Sequence, residues 1–211
     1  LFQIDTLKEY EWNPLAYSVG GAIYGLLARE FAPLKDRLQS VKERLKGIPP
    51  ILAAAKANLK NPPKIHTETA IRQNPGTISM IRDELKTYLD QVPELKDEFA
   101  PIQAEAVKAL EEYGQWLEKD LLLNATGDFR LGDEKYRRKL YYSLESDLSK
   151  EDILKSGETD LQETQAALYE TALPFFKKFF PKITDASKLG DKKAVIKAVL
   201  NKLADTHPTN A

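Results

Sequence analysis

The sequence predicts an all-α fold, and three observations support that prediction. Apolar residues recur at spacings of three and four along most of the 211-residue chain, which is the period of a helix face. No stretch alternates apolar and polar residues for long enough to predict a strand. Most of the 12 prolines stand where a helical pattern begins, a position that tolerates their missing N–H. We therefore expect one domain over residues 1–211, an irregular array of roughly nine or ten helices.

Prolines and caps divide the first half of the chain. Asn13 can cap a helix over 14–31 that starts with Pro14, and Gly20-Gly21 within it indicates close packing of a neighbour. Asn74-Pro75-Gly76 is expected to cap, kink or restart its helix, because proline cannot donate a backbone hydrogen bond. The other helices predicted here cover residues 33–47, 50–59 and 63–72, with a continuation after Gly76 to Leu89.

The second half has fewer breaks. Pro93 opens a helix that Pro101 interrupts, and a long apolar stripe then continues to Leu121. Residues 126–132 (TGDFRLG) are the clearest non-helical interval, so any domain boundary would fall near 124–133. Asp133 is placed to cap the next helix, Ser149 and Asp152 resemble a capping box for a helix to Pro174, and a last helix covers 191–204.

Composition excludes several functions. The chain has 31 basic and 32 acidic residues mixed along its length, so no overall electrostatic field favours the binding of nucleic acid. The absence of cysteine removes disulfides, thiolate zinc sites and cysteine nucleophiles. The most apolar run, residues 15–28, is too short to span a bilayer. No signal peptide is visible. The lack of cysteine does not assign a compartment, because a bacterial exported protein can also lack cysteine. The sequence therefore leaves the compartment open.

His66 is the obvious candidate for metal binding, but its spacing argues against it. Helical ligand pairs lie three or four positions apart, and those positions after His66 hold Thr69 and Ala70, which are not zinc ligands. Glu68 lies on the far side of the helix. The second histidine, His207, stands near the end of the sequence. We expect no metal, and no other cofactor, to be held by this chain alone.

What the spacing does give is a polar helix face formed by His66, Thr69 and Gln73, beside which Glu68 and Arg72 can pair. Two interpretations remain open. The face is either an ordinary hydrogen-bonded or solvated surface, or it is one wall of a cleft that holds a peptide backbone.

Three further segments each have a structural and a functional interpretation. In the 126–132 loop, Asp128 and Arg130 can fix the backbone, or Arg130 can contact substrate. Tyr136 begins a basic and aromatic run whose helical spacing favours an amphipathic helix over a single-strand nucleic-acid surface. The four phenylalanines of 175–180 favour a core over a membrane anchor.

The chain resembles a bacterial domain-of-unknown-function family, numbered eight-eight-five, that is related to zincin-like metallopeptidases. The segments that carry the resemblance are WNPLAY at 12–17, REFAP at 29–33 with Arg37, IP at 48–49 leading to AKANL at 55–59, PPKIHTETAI at 62–71, and GDFRLG at 127–132 with Tyr136. Each is short, and their order is what makes the set specific.

The resemblance implies a longer protein whose remaining half carries a histidine and glutamate zinc motif. We therefore expect this chain to be a helical fragment, without catalytic or metal-ligating residues, that forms part of a zinc peptidase's substrate cleft. The expected cleft-lining residues are His66, Thr69, Gln73, Arg130 and Tyr136. Its expected partners are the remainder of its own polypeptide and a peptide substrate. The alternative is a non-catalytic helical binding or scaffold module.

Overall fold

The computed structural model describes residues 1–183 and 191–205, and all regular elements within them are helical. The all-α prediction is confirmed. The described residues contain no strand, and only an isolated parallel bridge joins Pro63 to Gly127. Contacts between Cα atoms divide the chain into two compact units, Leu1–Lys135 and Tyr136–Ala211. A single domain over 1–211 stays a prediction.

The first unit is built from seven α-helices joined by short helical turns. They are α1 (Glu9–Trp12), α2 (Gly20–Ala28), α3 (Leu34–Lys46), α4 (Ile48–Asn58), α5 (Lys64–Ser79), α6 (Leu85–Leu89) and α7 (Lys96–Trp116). A π-helical segment, Met80–Glu84, links α5 to α6, and another, Leu117–Leu121, extends α7. One apolar core runs through α2 to α7. The predicted stripe of α3 is in that core, with Leu38, Val41 and Leu45 fully buried.

The segment between α1 and α2 differs from the prediction. Asn13 does cap, since its Oδ1 accepts from Leu15 N at 3.1 Å, but only a 3₁₀ turn, Pro14–Tyr17, follows. The continuous helix predicted over 14–31 is wrong, because Ser18 is extended and α2 begins only at Gly20. A Cβ on Gly20 would lie 2.7 Å from Thr77 Oγ1, so the predicted close packing is confirmed there.

The predicted interruption at Pro101 is wrong, and of the three outcomes predicted for Pro75 (a cap, a kink or a restart) the cap and the restart are excluded. α5 runs through Pro75, and α7 runs through Pro101. A proline in a helix interior costs about 3 kcal/mol through one lost hydrogen bond and a steric clash. In α7 the side chains of Phe99 and Ala106, on either side of Pro101, are fully buried, and their packing holds the helix together. Both prolines lie exposed, where the missing hydrogen bond is open to water.

The second unit has little core. Its helices are α8 (Asp133–Leu144), which begins three residues before the boundary, α9 (Lys150–Phe179) and α10 (Lys192–Ala204). The Ser149–Asp152 capping box is confirmed, but α9 passes through Pro174 instead of ending there. Asp133 is the first residue of α8, and α8 buries no residue. The core of this unit consists of Ala172, Phe176, Val195 and Val199.

Two predictions about the end of the chain have mixed outcomes. Phe176 is buried, whereas Phe175 is 43% exposed, so only part of the phenylalanine run fills a core. Asp191 caps α10 by accepting from Ala194 N at 2.9 Å, as the predicted start of the last helix requires. His207 lies outside the described residues.

Candidate functional site

Three segments of the first unit meet at one place, which we call the junction: the end of α1, the turn at 61–63 that leads into α5, and the loop at 126–132. Lys60 N donates to Glu11 O at 2.6 Å, which joins the turn to α1. Gly127 N donates to Pro62 O at 3.1 Å, which joins the turn to the loop. The junction therefore brings together residues that are far apart in the sequence.

Asn61 and Gly127 have the geometry that this junction requires. Asn61 has φ of 44°, a left-handed conformation that asparagine tolerates better than most residues. Its Oδ1 accepts from Thr126 N at 3.1 Å and from Thr126 Oγ1 at 2.7 Å. A Cβ on Gly127 would lie 2.1 Å from the carbonyl oxygen of Asn61, so only glycine fits against the turn.

The junction places His66 between two aromatic rings. Its imidazole is stacked on Trp12 with ring centroids 5.8 Å apart, and it lies 6.2 Å from the tilted ring of Phe129. Trp12 is itself held, because its Nε1 donates to Leu7 O at 2.8 Å. The Nδ1 atom of His66 is enclosed and has no hydrogen-bond partner. An enclosed polar atom without a partner costs free energy, which makes it the most unusual feature of this site.

The 126–132 loop holds its own shape, as the structural interpretation predicted. Asp128 Oδ1 accepts from Arg130 N at 3.0 Å and from Arg130 Nη1 at 3.3 Å. The Arg130 guanidinium lies 4.6 Å from the centroid of the Phe129 ring. The backbone N–H of Arg130 lowers the pKa of Asp128, because the hydrogen bonds that this carboxylate accepts favour its charged form.

The structure brings some of the predicted site residues together. His66 and Arg130 both lie near the Phe129 ring. Thr69 points its hydroxyl back to Ile65 O at 2.7 Å and accepts from Arg72 at 3.1 Å, so its hydrogen bonds stay within α5. Tyr136 belongs to the second unit and is 46% exposed on α8.

The predicted pairing of Glu68 with Arg72 is replaced by other partners. The Glu68 carboxylate lies 3.9 Å from Lys64 Nζ, one turn earlier in α5. Arg72 instead donates to Thr69. Within the described ranges, no three histidine, aspartate or glutamate side chains are grouped as a metal site requires.

Gln73 lies two turns beyond His66 on the same face of α5 and lines a cavity of about 30 Å³, which is large enough for a water molecule. Residues that line this cavity include Tyr17, Gln73, Asn74, Thr77 and Tyr113. Tyr113 is 5% exposed and its hydroxyl has no hydrogen-bond partner. Burial, and to a lesser extent Tyr17, raises the pKa of Tyr113 well above its ordinary value.

Asn74 and Tyr113 are functional candidates that the sequence pattern does not single out. Asn74 Nδ2 donates to Leu110 O at 2.8 Å and so joins α5 to α7. The pattern places Asn74 beside Pro75, and it places Tyr113 within the apolar stripe that continues to Leu121. The only signal for Tyr113 was a hydroxyl within that stripe.

The fold and the junction define an all-α protein in which an aromatic-flanked histidine stands between a turn and a loop. A family model for a bacterial protein of unknown function (DUF885) matches residues 2–210, and the chain belongs to this family. The family that the sequence resembles is thus confirmed. No curated protein matches the chain.

One solved structure resembles the whole chain. It is described as that of "a putative lipoprotein of unknown function" from Shewanella oneidensis. It is 29% identical to this chain, with a TM-score of 0.64. The match covers 99% of this chain but 38% of the Shewanella protein, so this chain spans well under half of that protein's length. In the described part of the chain, no helix combines the length and apolarity needed to cross a bilayer.

Replacing Gly127 with alanine tests whether the junction depends on close approach. Because the added Cβ would collide with the Asn61 carbonyl, we expect Gly127→Ala to lower the free energy of unfolding by about 3 kcal/mol. Urea denaturation followed by circular dichroism measures the change. Gly25→Ala is the matched control, because a Cβ there meets nothing within 4 Å inside α2 and should stabilise by roughly 0.5–1 kcal/mol. Equal effects of the two substitutions would contradict the close approach.

Replacing Tyr113 with phenylalanine tests whether its buried hydroxyl lowers the stability of the fold. Removing a buried hydroxyl without a partner should raise the free energy of unfolding by about 1 kcal/mol. Tyr17→Phe is the control with the opposite sign, because Tyr17 Oη donates to Tyr10 O at 2.7 Å and accepts from Asn58 at 3.1 Å. It should destabilise by about 1 kcal/mol. A loss of stability in Tyr113→Phe would mean that the hydroxyl makes a favourable hydrogen bond in solution.

Proposed function

We propose that this chain is the helical substrate-cleft portion of a longer, zinc-dependent peptidase-like protein and is not catalytically competent alone. The junction would form one wall of the cleft and contact a bound peptide. The Shewanella structure supports a longer protein, because the match covers 38% of that chain. The peptidase class itself rests on the resemblance described above.

The enclosed Nδ1 of His66 is the observation that carries the proposal. The ring is held by Trp12 on one side and by Phe129 on the other. Because Nδ1 is enclosed, a group that enters beside the imidazole would hydrogen-bond it after the half-exposed Phe129 ring moves aside. Phe129 is 47% exposed and offers an apolar contact next to that nitrogen. Rigid aromatic side chains beside a few placed polar groups are typical of binding sites.

Gln73 and Arg130 would extend the same wall. Gln73 is exposed on the His66 face of α5, and its amide can both donate to and accept from a peptide bond. The Arg130 side chain is 72% exposed beside Phe129, where it can meet a carboxylate. Thr69 contributes less, because its hydroxyl is already hydrogen-bonded within α5.

The described residues do not fit a zinc site, since no group of three potential ligands is present in them. No zinc chemistry is therefore assigned to this chain. Any metal and catalytic base would have to come from the rest of the longer protein.

The second candidate is a non-catalytic helical scaffold, and the second unit favours it. Its described helices bury only four hydrophobic side chains in their core, while many large apolar side chains on α8, α9 and α10 stay exposed. Such surfaces are typical of protein–protein contacts and require no catalytic site.

A single-tryptophan variant tests peptide binding at the junction. With Trp116→Phe, Trp12 becomes the only tryptophan, and its emission reports on the ring stacked against it. We expect a pool of acetylated, amidated tetrapeptides to change that emission. His66→Phe keeps an aromatic ring but removes the nitrogen, so it should weaken the measured affinity by about tenfold, the value of one good hydrogen bond.

Glu105→Gln, on the exposed face of α7, is the control and should leave the affinity unchanged. In the longer protein, His66→Phe and Gln73→Ala should both raise KM for peptide hydrolysis. Two results together would contradict the cleft proposal and favour the scaffold: Trp12 emission of the Trp116→Phe protein that does not change when peptide is added, and a KM for hydrolysis that is unchanged in both variants of the longer protein.

A further inference from the structure

Helix α9 carries an exposed apolar stripe. Leu154, Leu161, Leu168 and Phe175 follow one another at intervals of seven residues, and their exposed fractions are 62%, 56%, 42% and 43%. Seven residues make two helical turns, so these four side chains lie along one face. We call them the α9 stripe.

The part of α9 that carries most of this stripe buries nothing. All residues from 154 to 168 are exposed, and the contact with α10 buries only Ala172 and Phe176 further along. Isolated helices are marginal in water, and most helical stability in proteins comes from packing an apolar face. A 30-residue helix with a regular apolar face therefore needs a packing partner along its first half.

We propose that the α9 stripe is the packing surface for a helix supplied by the remainder of the longer polypeptide. The Shewanella structure provides the first argument: this chain matches only 38% of it, so most of that protein lies outside the matched part. The stripe is also the wrong shape for a small ligand, since four side chains spaced over six turns match another helix.

Charge indicates the chemistry of that helix and argues against a second copy of α9. Residues 150–170 contain six acidic side chains and two basic ones. Of the acidic residues, Glu151, Glu158 and Asp160 lie nearest the stripe, while Asp152, Glu163 and Glu170 lie on the opposite face. Two copies would bring the nearer three together beside the shared apolar seam, which is unfavourable. The partner helix should instead present an apolar stripe flanked by lysine and arginine. This inference concerns a surface other than the junction, and it stands whether or not the junction binds peptide.

Cysteine labelling tests the proposal cleanly, because the 211 residues contain no cysteine. Leu161→Cys places a thiol on the stripe, and Glu163→Cys places one on the opposite side of the same exposed helix. In the 211-residue chain, a bulky maleimide should label both at similar rates. In the full-length gene product, Leu161→Cys should react at least about tenfold more slowly than Glu163→Cys, because packing protects it.

Two outcomes would overturn the proposal. One is rapid labelling of Leu161→Cys in the full-length product. The other is protection already present in the 211-residue chain together with a dimeric mass by sedimentation, which would identify a second copy as the occupant.

Hydrogen exchange of the unsubstituted proteins keeps the test decisive if a cysteine variant fails to fold. Amides at 154–168 should exchange more slowly in the full-length product than in the 211-residue chain. Equal exchange rates in the two proteins would also overturn the proposal.

Discussion

The contact between Gly127 and the Asn61–Pro62 turn is the constraint on which the junction depends. Thr126 and Asn61 are 65 residues apart, so closing that loop costs chain entropy that the contact must repay. One backbone hydrogen bond and two to the Asn61 side chain do so. With this contact in place, Phe129 reaches His66. The aromatic packing is thus a consequence of backbone geometry two residues away.

Most local features of the fold were predictable because their signals are local. The Asn13 cap, the α3 stripe and the Ser149–Asp152 capping box each depend on residues within a few turns of one another. The prolines were misjudged for the same reason. A local rule assigns Pro101 the cost of a lost hydrogen bond, but it does not count the burial of Phe99 in a core made by other helices. At that position the free energy gained by tertiary packing exceeds the cost of a proline inside a helix.

The candidate site was predictable only in part. The spacing of His66 argues against a helical zinc pair, and it places Gln73 on the same face of α5. It could not show that Trp12 and Phe129 flank the imidazole, because one lies 54 residues before it and the other 63 residues after it. The same limit applies to Asn61, whose side chain pairs with Thr126 across the junction. Periodicity describes the faces of one helix, whereas this site is made by three segments.

The two units differ in how much of their apolar surface they bury within themselves. The first unit buries the faces of α2 to α7 in one continuous core, which offsets the entropy of ordering its chain. In the described part of the second unit, α9 and α10 meet around four buried side chains, while a regular apolar stripe on α9 faces solvent. The partner helix that we propose would cover this stripe and so remove the imbalance between the two units.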